Sequence, residues 1–277
     1  MNNESIVSDA INTEVIQEDN IDEKVITEVM QSIPSPIEIS AVIKETGKSY
    51  NNAYLNPSDN YSKYNTSFKK AINLGIYSTD LGYINMYNKN KDAILYLSSV
   101  KSLADELNIG QFFDLATIQR IASNNNNMDS LVYITTKNFE KINTHLNEKR
   151  RADQSVLILT GGWLEALHLS CEIASQTKNS KLAEKIGEQK IVLDQLMLLL
   201  SKFPKDSNMK LLAVEMAKLQ SIFHQIEITY TYKESSMKEV NGVLTIVDET
   251  TSTVNITPEQ VEQIKSITNS LRNNIII

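Results

Sequence analysis

Two adjacent apolar stretches, residues 154–177 and 182–203, constrain the fold of this chain more than any other feature. In the first stretch, apolar residues occupy nearly every helical position, which is typical of a helix covered on all sides. In the second, one stripe is apolar except at Gln189 and comprises Leu182, Ile186, Gln189, Leu193, Leu196, Leu200 and Phe203. Because such a stripe packs against antiparallel neighbours, the pattern predicts two adjacent central helices. Gln189 either fixes the register of this packing or reaches solvent.

Helical spacing and capping signals elsewhere predict a mainly all-α fold, an antiparallel bundle of about eight to ten helices. The predicted helical segments lie at about 37–47, 66–87, 90–107, 114–123, 128–148, 207–225 and from 258 onward. Thr257, Pro258 and Gln260 form the capping pattern that begins the last of these helices. No uninterrupted apolar run reaches 18 residues, so the sequence predicts no helix that crosses a membrane.

A region near the C-terminus has the period of strands rather than that of helices. Residues 226–232 alternate, and 243–247 and 251–256 are rich in β-branched side chains. Asn241-Gly242 is a turn signal immediately before the last two segments. We therefore predict a small β-hairpin at about 243–256, formed by these two segments.

The net charge is concentrated at the N-terminus. Residues 1–33 hold eight acidic side chains and one lysine, which accounts for the formal net charge of −7, and the rest of the chain carries 26 acidic and 26 basic side chains. We predict a flexible acidic tail over 1–33, with one short helix at about 22–30, and a single helical domain over 34–277. The tail is either a disordered terminus without a specific role or a spacer between the body and an anchor. A formally neutral body has no basic footprint, so nucleic-acid binding is not expected.

Two parts of the sequence share a pattern of glycine, aromatic and apolar residues. Gly75, followed by Tyr77, resembles Gly161-Gly162, followed by Trp163, at an offset of 86 residues. The pattern indicates either an internal duplication with two similar halves about a pseudo-twofold axis, or the spacing that any two amphipathic helices share.

Residues that carry chemistry are few. Glu165 and His168 lie three apart on one face of the predicted central helix, a spacing used by di-iron bundles, but those bundles need a second such pair, and the sequence has none. We interpret the pair as satisfied inside a packed helix, and Cys171 on the same helix as a buried, inert thiol. No catalytic triad, phosphate loop or zinc spacing is found. We therefore predict no catalytic residue, no metal ligand and no cofactor.

Candidate ligand-binding residues come from two features of the predicted helices. The Gly161-Gly162 pair is unfavourable within a helix, so it indicates either close helix packing or room for a ligand. Tyr77, Asp80 and Tyr87 share one helix face, which is either an edge of packed tyrosines or a groove for a peptide or glycan. The candidate ligand-binding residues are Tyr77, Asp80, Tyr87, Gly161, Gly162 and Trp163.

Four segments carry a resemblance to a known group of proteins: 33–39 (IPSPIEI), 103–113 (LADELNIGQFF), 160–163 (TGGW) and 185–190 (KIGEQK). Together they resemble uncharacterised bacterial envelope proteins, helical lipoproteins, over about residues 33–260. The resemblance implies export, removal of a signal peptide and lipid attachment at a cysteine before the acidic tail. Cys171 is the only cysteine here, so the implied anchor is absent from this chain.

Three functional hypotheses follow. The first is a non-catalytic helical envelope protein on the periplasmic side that acts as a scaffold or binds a partner, with contact to the membrane only through the lipid anchor. The second is a soluble binding protein, with a small apolar or peptide ligand between the helical halves. The third is an enzyme of unrecognised type. A cytoplasmic location is the alternative to the envelope.

Overall fold

The fold is a mainly α-helical bundle that carries a C-terminal β-hairpin, as the sequence predicts. The computed structural model describes residues 26, 28–30, 33, 38–113, 128–232, 236–240, 243–247 and 251–277. Within these residues the α-helices are α1 (Glu38–Glu45), α2 (Ser67–Met86), α3 (Asn90–Glu106), α4 (Met128–Glu148), α5 (Ala152–Thr177), α6 (Ser180–Ser201), α7 (Ser207–Phe223) and α8 (Pro258–Ile276). Short 3-10 turns lie at Asn52–Tyr54, Ser58–Lys63 and Gly110–Phe113. The predicted helix at 114–123 and loop at 124–127 lie outside the described residues.

Helix α5 forms the centre of the bundle. It packs against α2, α6, α8, α4 and α1, and nearly all of its residues are buried. Helices α5 and α6 are neighbours, which confirms the prediction made from the two apolar stretches. Among the described residues, α5 is also long and apolar enough to cross a membrane by length and composition, and 94% of its most apolar window is buried inside the protein. The burial identifies α5 as a core helix, and that no helix crosses a membrane stays a prediction.

Helices α2 and α5 cross at their glycines. A Cβ atom added to Gly75 would lie 2.0 Å from the carbonyl oxygen of Ile158, and one added to Gly161 would lie 1.9 Å from that of Ile72. Each glycine therefore faces the carbonyl three residues before the other glycine, so the contact is reciprocal. The close-packing interpretation of Gly161 is confirmed, and the reciprocity is consistent with two similar halves.

The β-hairpin is longer than predicted, and its strands pair differently. The strands are β1 (Glu227–Thr231), β2 (Ser236–Val240), β3 (Val243–Val247) and β4 (Thr251–Asn255). β2 pairs with β3 across the Asn241-Gly242 position, and β1 pairs with β4. The predicted pairing of 243–247 with 251–256 was therefore wrong: the turn signal at 241–242 joins β3 to the preceding strand.

The packed body begins before residue 34. Ile26, Met30 and Ile33 are buried as part of the hydrophobic core, so the predicted boundary between tail and body lies too far along the chain. The physical reason is local: these residues step by four and three along the sequence and present one apolar stripe to the body. The predicted acidic tail over 1–25 lies outside the described residues.

Candidate functional site

The candidate site is a buried polar network between α2, α5 and α8. Its centre, which we call the buried triad, consists of Asp80 from α2, Glu165 from α5 and Arg272 from α8, with exposed fractions of 0%, 0% and 4%. Arg272 forms a two-pronged ion pair with Glu165: Nε donates to Oε2 at 2.5 Å and Nη2 to Oε1 at 2.6 Å. This geometry is the strongest form of a charged hydrogen bond. The triad therefore joins three helices that are distant in sequence.

The burial of Glu165 and its attraction to Arg272 shift the pKa of Glu165 in opposite directions. Burial alone would raise the pKa of Glu165, because it disfavours the charged form. The attraction of Arg272 and its hydrogen bonds outweigh burial and lower the pKa. Glu165 is therefore the charged partner of Arg272.

Asp80 behaves differently from Glu165. Its Oδ2 accepts the backbone N–H of Asn56 at 3.2 Å, whereas Oδ1 is buried and meets no donor among the described groups. Burial, and next the negative charge of Glu165, raise the pKa of Asp80 well above its usual range. The positive charge of Arg272 lowers the pKa of Asp80, but by less than burial and Glu165 raise it.

A hydrogen-bonded chain extends from the triad along the α5–α8 contact. The carbonyl oxygen of Tyr54 accepts from Arg272 Nη2 at 3.0 Å and lies 2.9 Å from His168 Nε2. The other ring nitrogen of His168 lies 2.7 Å from Asn269 Oδ1, and Asn269 Nδ2 donates to Glu172 Oε1 at 2.8 Å. Both ring nitrogens thus lie within hydrogen-bonding distance of an oxygen, and Glu165 and His168 both lie in the packed interior, as interpreted from the sequence.

The predicted tyrosines lie beside this network. Tyr77 is buried, and its hydroxyl donates to the carbonyl of Pro57 at 2.7 Å. Tyr87 is half-buried, and its hydroxyl donates to the carbonyl of Lys48 at 2.8 Å. Both hydroxyls are therefore bonded to backbone within the protein. Asp80 follows Tyr77 on the same helix and belongs to the buried triad.

The predicted glycines and Trp163 lie in helix contacts. Gly161 faces the backbone of α2, and the carbonyl of Gly162 accepts from Thr79 at 3.1 Å. Trp163 donates from Nε1 to Gln189 Oε1 at 3.0 Å. Gln189, the polar member of the apolar stripe, therefore links α6 to α5. That these six residues bind a ligand stays a prediction.

The sequence analysis missed Arg272 and two buried asparagines, Asn56 and Asn73, and also Tyr54, Asn269 and Glu172. Asn73 donates to the carbonyl of Ile275, at the end of α8. A signal for Arg272 is present, because it lies four residues after Thr268 and eight after Ile264, within the buried stripe of α8. A charged residue on a buried face needs a buried partner. The two asparagines carry no comparable signal.

We expect Cys171 to be unreactive in the native protein. Burial raises the pKa of its thiol, and the side chain is fully buried, so little thiolate is accessible. With Ellman's reagent, native protein should react at least a hundredfold more slowly than protein unfolded in guanidinium, which should release one thiol equivalent. A cysteine placed at the exposed Ser221, in a Cys171→Ala background, is the matched control. Rapid native labelling of Cys171 would contradict this burial.

Within the part of the chain that the structure describes, no group of three or more histidine, cysteine, aspartate or glutamate side chains is placed to hold a metal ion. The polar groups of the network instead form hydrogen bonds and ion pairs with one another, and these connect α2, α5, α8 and the Tyr54–Asn56 segment. No protein-family model, curated protein or solved structure matches this chain.

Proposed function

We propose that this chain is a non-catalytic helical protein of the bacterial envelope, lipid-anchored after export, that binds a protein partner through its C-terminal β-hairpin. The observation that supports the binding role is the exposure of large side chains on the hairpin. Tyr230, Tyr232 and Met237 are 61%, 79% and 73% exposed. Tyrosine and methionine are enriched in protein interfaces, and two-stranded hairpins leave backbone groups on both edges available for pairing.

The base of the hairpin is held firmly by α6. Val254 of β4 packs where Gly187 leaves room, since a Cβ atom on Gly187 would lie 2.4 Å from Val254 Cγ1. Lys190 Nζ donates to the carbonyl of Ile226 at 2.7 Å, just before β1. A fixed base means that partner binding would not have to order this end of the hairpin, which favours affinity.

The buried network supports a structural rather than a catalytic role. Its ionisable centre is 0–4% exposed, and its charged groups are paired with one another. Catalytic groups must come within hydrogen-bonding reach of a substrate. The Gly161 face, where the second hypothesis places a ligand, is occupied by the backbone of α2.

Site-specific photo-crosslinking tests the binding role. A photoreactive phenylalanine analogue is placed at Tyr230 or Tyr232 in the full chain, expressed in its native organism, and at the exposed Lys210 of α7 as the control. We expect a discrete adduct from the hairpin positions, which disappears when Met237 is changed to Ser. No adduct from the hairpin, or the same adduct from Lys210, would contradict the proposal.

Envelope localisation rests on the resemblance and on the acidic segment before the body. If residues 1–25 act as a flexible spacer, they would span roughly 25–30 Å on average, enough to separate the body from a membrane surface. The test is the open reading frame upstream of residue 1, together with metabolic labelling by radioactive palmitate. We expect a signal peptide followed directly by a cysteine that carries the lipid. A gene that starts at Met1 and a protein without label would refute the anchor.

A further inference from the structure

The buried triad has more negative than positive charges. Asp80 and Glu165 are carboxyl groups, and Arg272 is the guanidinium that pairs with Glu165 and whose charge also lowers the pKa of Asp80. Taking an unpaired charge out of water is strongly unfavourable. A triad with both carboxyls ionised would hold one such charge, whereas one added proton makes it neutral.

The contacts indicate where that proton resides. Both oxygens of Glu165 accept from Arg272, so Glu165 is satisfied as a carboxylate. Oδ1 of Asp80 is buried and meets no donor among the described groups, and burial, followed by the nearby charge of Glu165, raises the pKa of Asp80. A protonated carboxyl group can donate a hydrogen bond, whereas an ionised one can only accept. Asp80 is therefore the group that gains from carrying the proton.

We propose that a proton held on Asp80 stabilises the packing of α8 and the Tyr54–Asn56 segment against α2 and α5. Release of this proton at higher pH weakens that packing. Without the proton, Asp80 and Glu165 repel each other and compete for Arg272. Arg272 also donates to the carbonyl of Tyr54, so a shift of its guanidinium would disturb the Tyr54–Asn56 segment as well.

The groups around Asp80 do not offset the loss of its proton. Its charged neighbours are Glu165 on α5 and Arg272 on α8. The tyrosines whose titration feels Asp80 are Tyr50, Tyr64, Tyr77 and Tyr96, from the segment before α2, from α2 itself and from α3. They are neutral until strongly alkaline pH, because burial raises their pKa values. His168, which lies near Glu165, is bonded to Tyr54 and Asn269 instead.

The sign of the pH dependence follows from linkage. The pKa of Asp80 is raised in the folded state, so its contribution to stability is fully present below the unfolded value of about 3.9. That contribution is lost as pH rises through the folded value. Stability should therefore fall toward alkaline pH.

The test compares wild type, Asp80→Asn and Glu184→Gln, an amide control at an exposed position of α6. Urea unfolding is measured between pH 5 and pH 9, with native hydrogen exchange of the α8 amides. We expect the unfolding constant of wild type and of Glu184→Gln to rise at least tenfold across this range. Asp80→Asn, which keeps the shape without the charge, should remove most of this rise.

Infrared spectroscopy of the wild type gives an independent measurement, including the case in which Asp80→Asn does not fold. We expect the carbonyl stretch of a protonated, buried carboxyl at pH 7 and its loss at the alkaline end of the range. Absence of this band at pH 7, or an Asp80→Asn protein with the full pH dependence of wild type, would overturn the proposal.

Discussion

Gly161→Ala should destabilise the protein by about 2–3 kcal/mol, the upper part of the range for overpacked cores. This is the reverse of the intrinsic trend, in which alanine is favoured over glycine in a helix by about 1 kcal/mol. The reason is the crossing of α2 and α5, where the new Cβ would lie 1.9 Å from the carbonyl oxygen of Ile72. Backbone atoms of a buried helix cannot move aside singly, so the two helices must separate.

The matched control is Gly187→Ala in α6. There the new Cβ would meet Cγ1 of Val254 at 2.4 Å, a side-chain methyl of the hairpin base that can shift. We expect a loss of no more than about 1 kcal/mol, because the gain in helix propensity offsets part of the clash.

Both effects can be read from guanidinium unfolding followed by the fluorescence of Trp163, the only tryptophan, which is buried. Gly75→Ala should behave like Gly161→Ala, because its Cβ would lie 2.0 Å from the carbonyl of Ile158. If Gly161→Ala were as stable as Gly187→Ala, the close crossing would be refuted.

The second large effect is expected from Arg272→Met, which should destabilise the protein by about 3–5 kcal/mol at pH 7. The substitution leaves the carboxylate of Glu165 buried without its cation, whereas methionine fills much of the volume of the arginine side chain. Lys265→Met on the same helix is the control. Its ammonium lies 3.2 Å from Glu172, with 22% of the side chain exposed, and we expect a loss of about 1 kcal/mol or less.

The pH dependence of this variant separates lost charge pairing from lost packing. Arg272 lowers the pKa of Glu165, so the stability this pair provides is present above the unfolded pKa and is lost as pH falls through the folded one. A protonated Glu165 needs no cation, so the gap between Arg272→Met and wild type should narrow in acid. A gap that is constant from pH 7 down to about pH 3, below the ordinary pKa of a glutamate, would indicate a packing defect instead.

Short-range pattern was sufficient to predict the helices. The apolar spacing of α5 and α6 is a property of residues that are three and four apart, and that local period dictates which face is buried. The capping box of Thr257 and Gln260 begins α8 for the same reason, because its two hydrogen bonds close within one turn. The fold class and most helix boundaries were accessible in this way.

Strand pairing was not accessible in the same way. The segments 243–247 and 251–255 were recognised as strands, but which strand pairs with which depends on backbone hydrogen bonds between residues up to 28 positions apart, as between Glu227 and Asn255. Alternation within a strand is the same for any partner. The turn signal at Asn241-Gly242 could have identified the correct pairing, because a two-residue turn joins the strands that lie directly before and after the turn.

The sequence by itself determined the helical architecture and the shared face of Glu165 and His168, whereas the tertiary structure decided that Gly161 serves close helix packing. Only the tertiary structure brought Arg272 to Glu165 across 107 positions and placed Asp80 beside them. The physical reason is that a helix period specifies which residues face the core, whereas the charge balance inside the core depends on which faces meet. In this core two carboxyl groups lie beside one arginine. The proposal that Asp80 holds a proton is inferred from this excess of one carboxyl group.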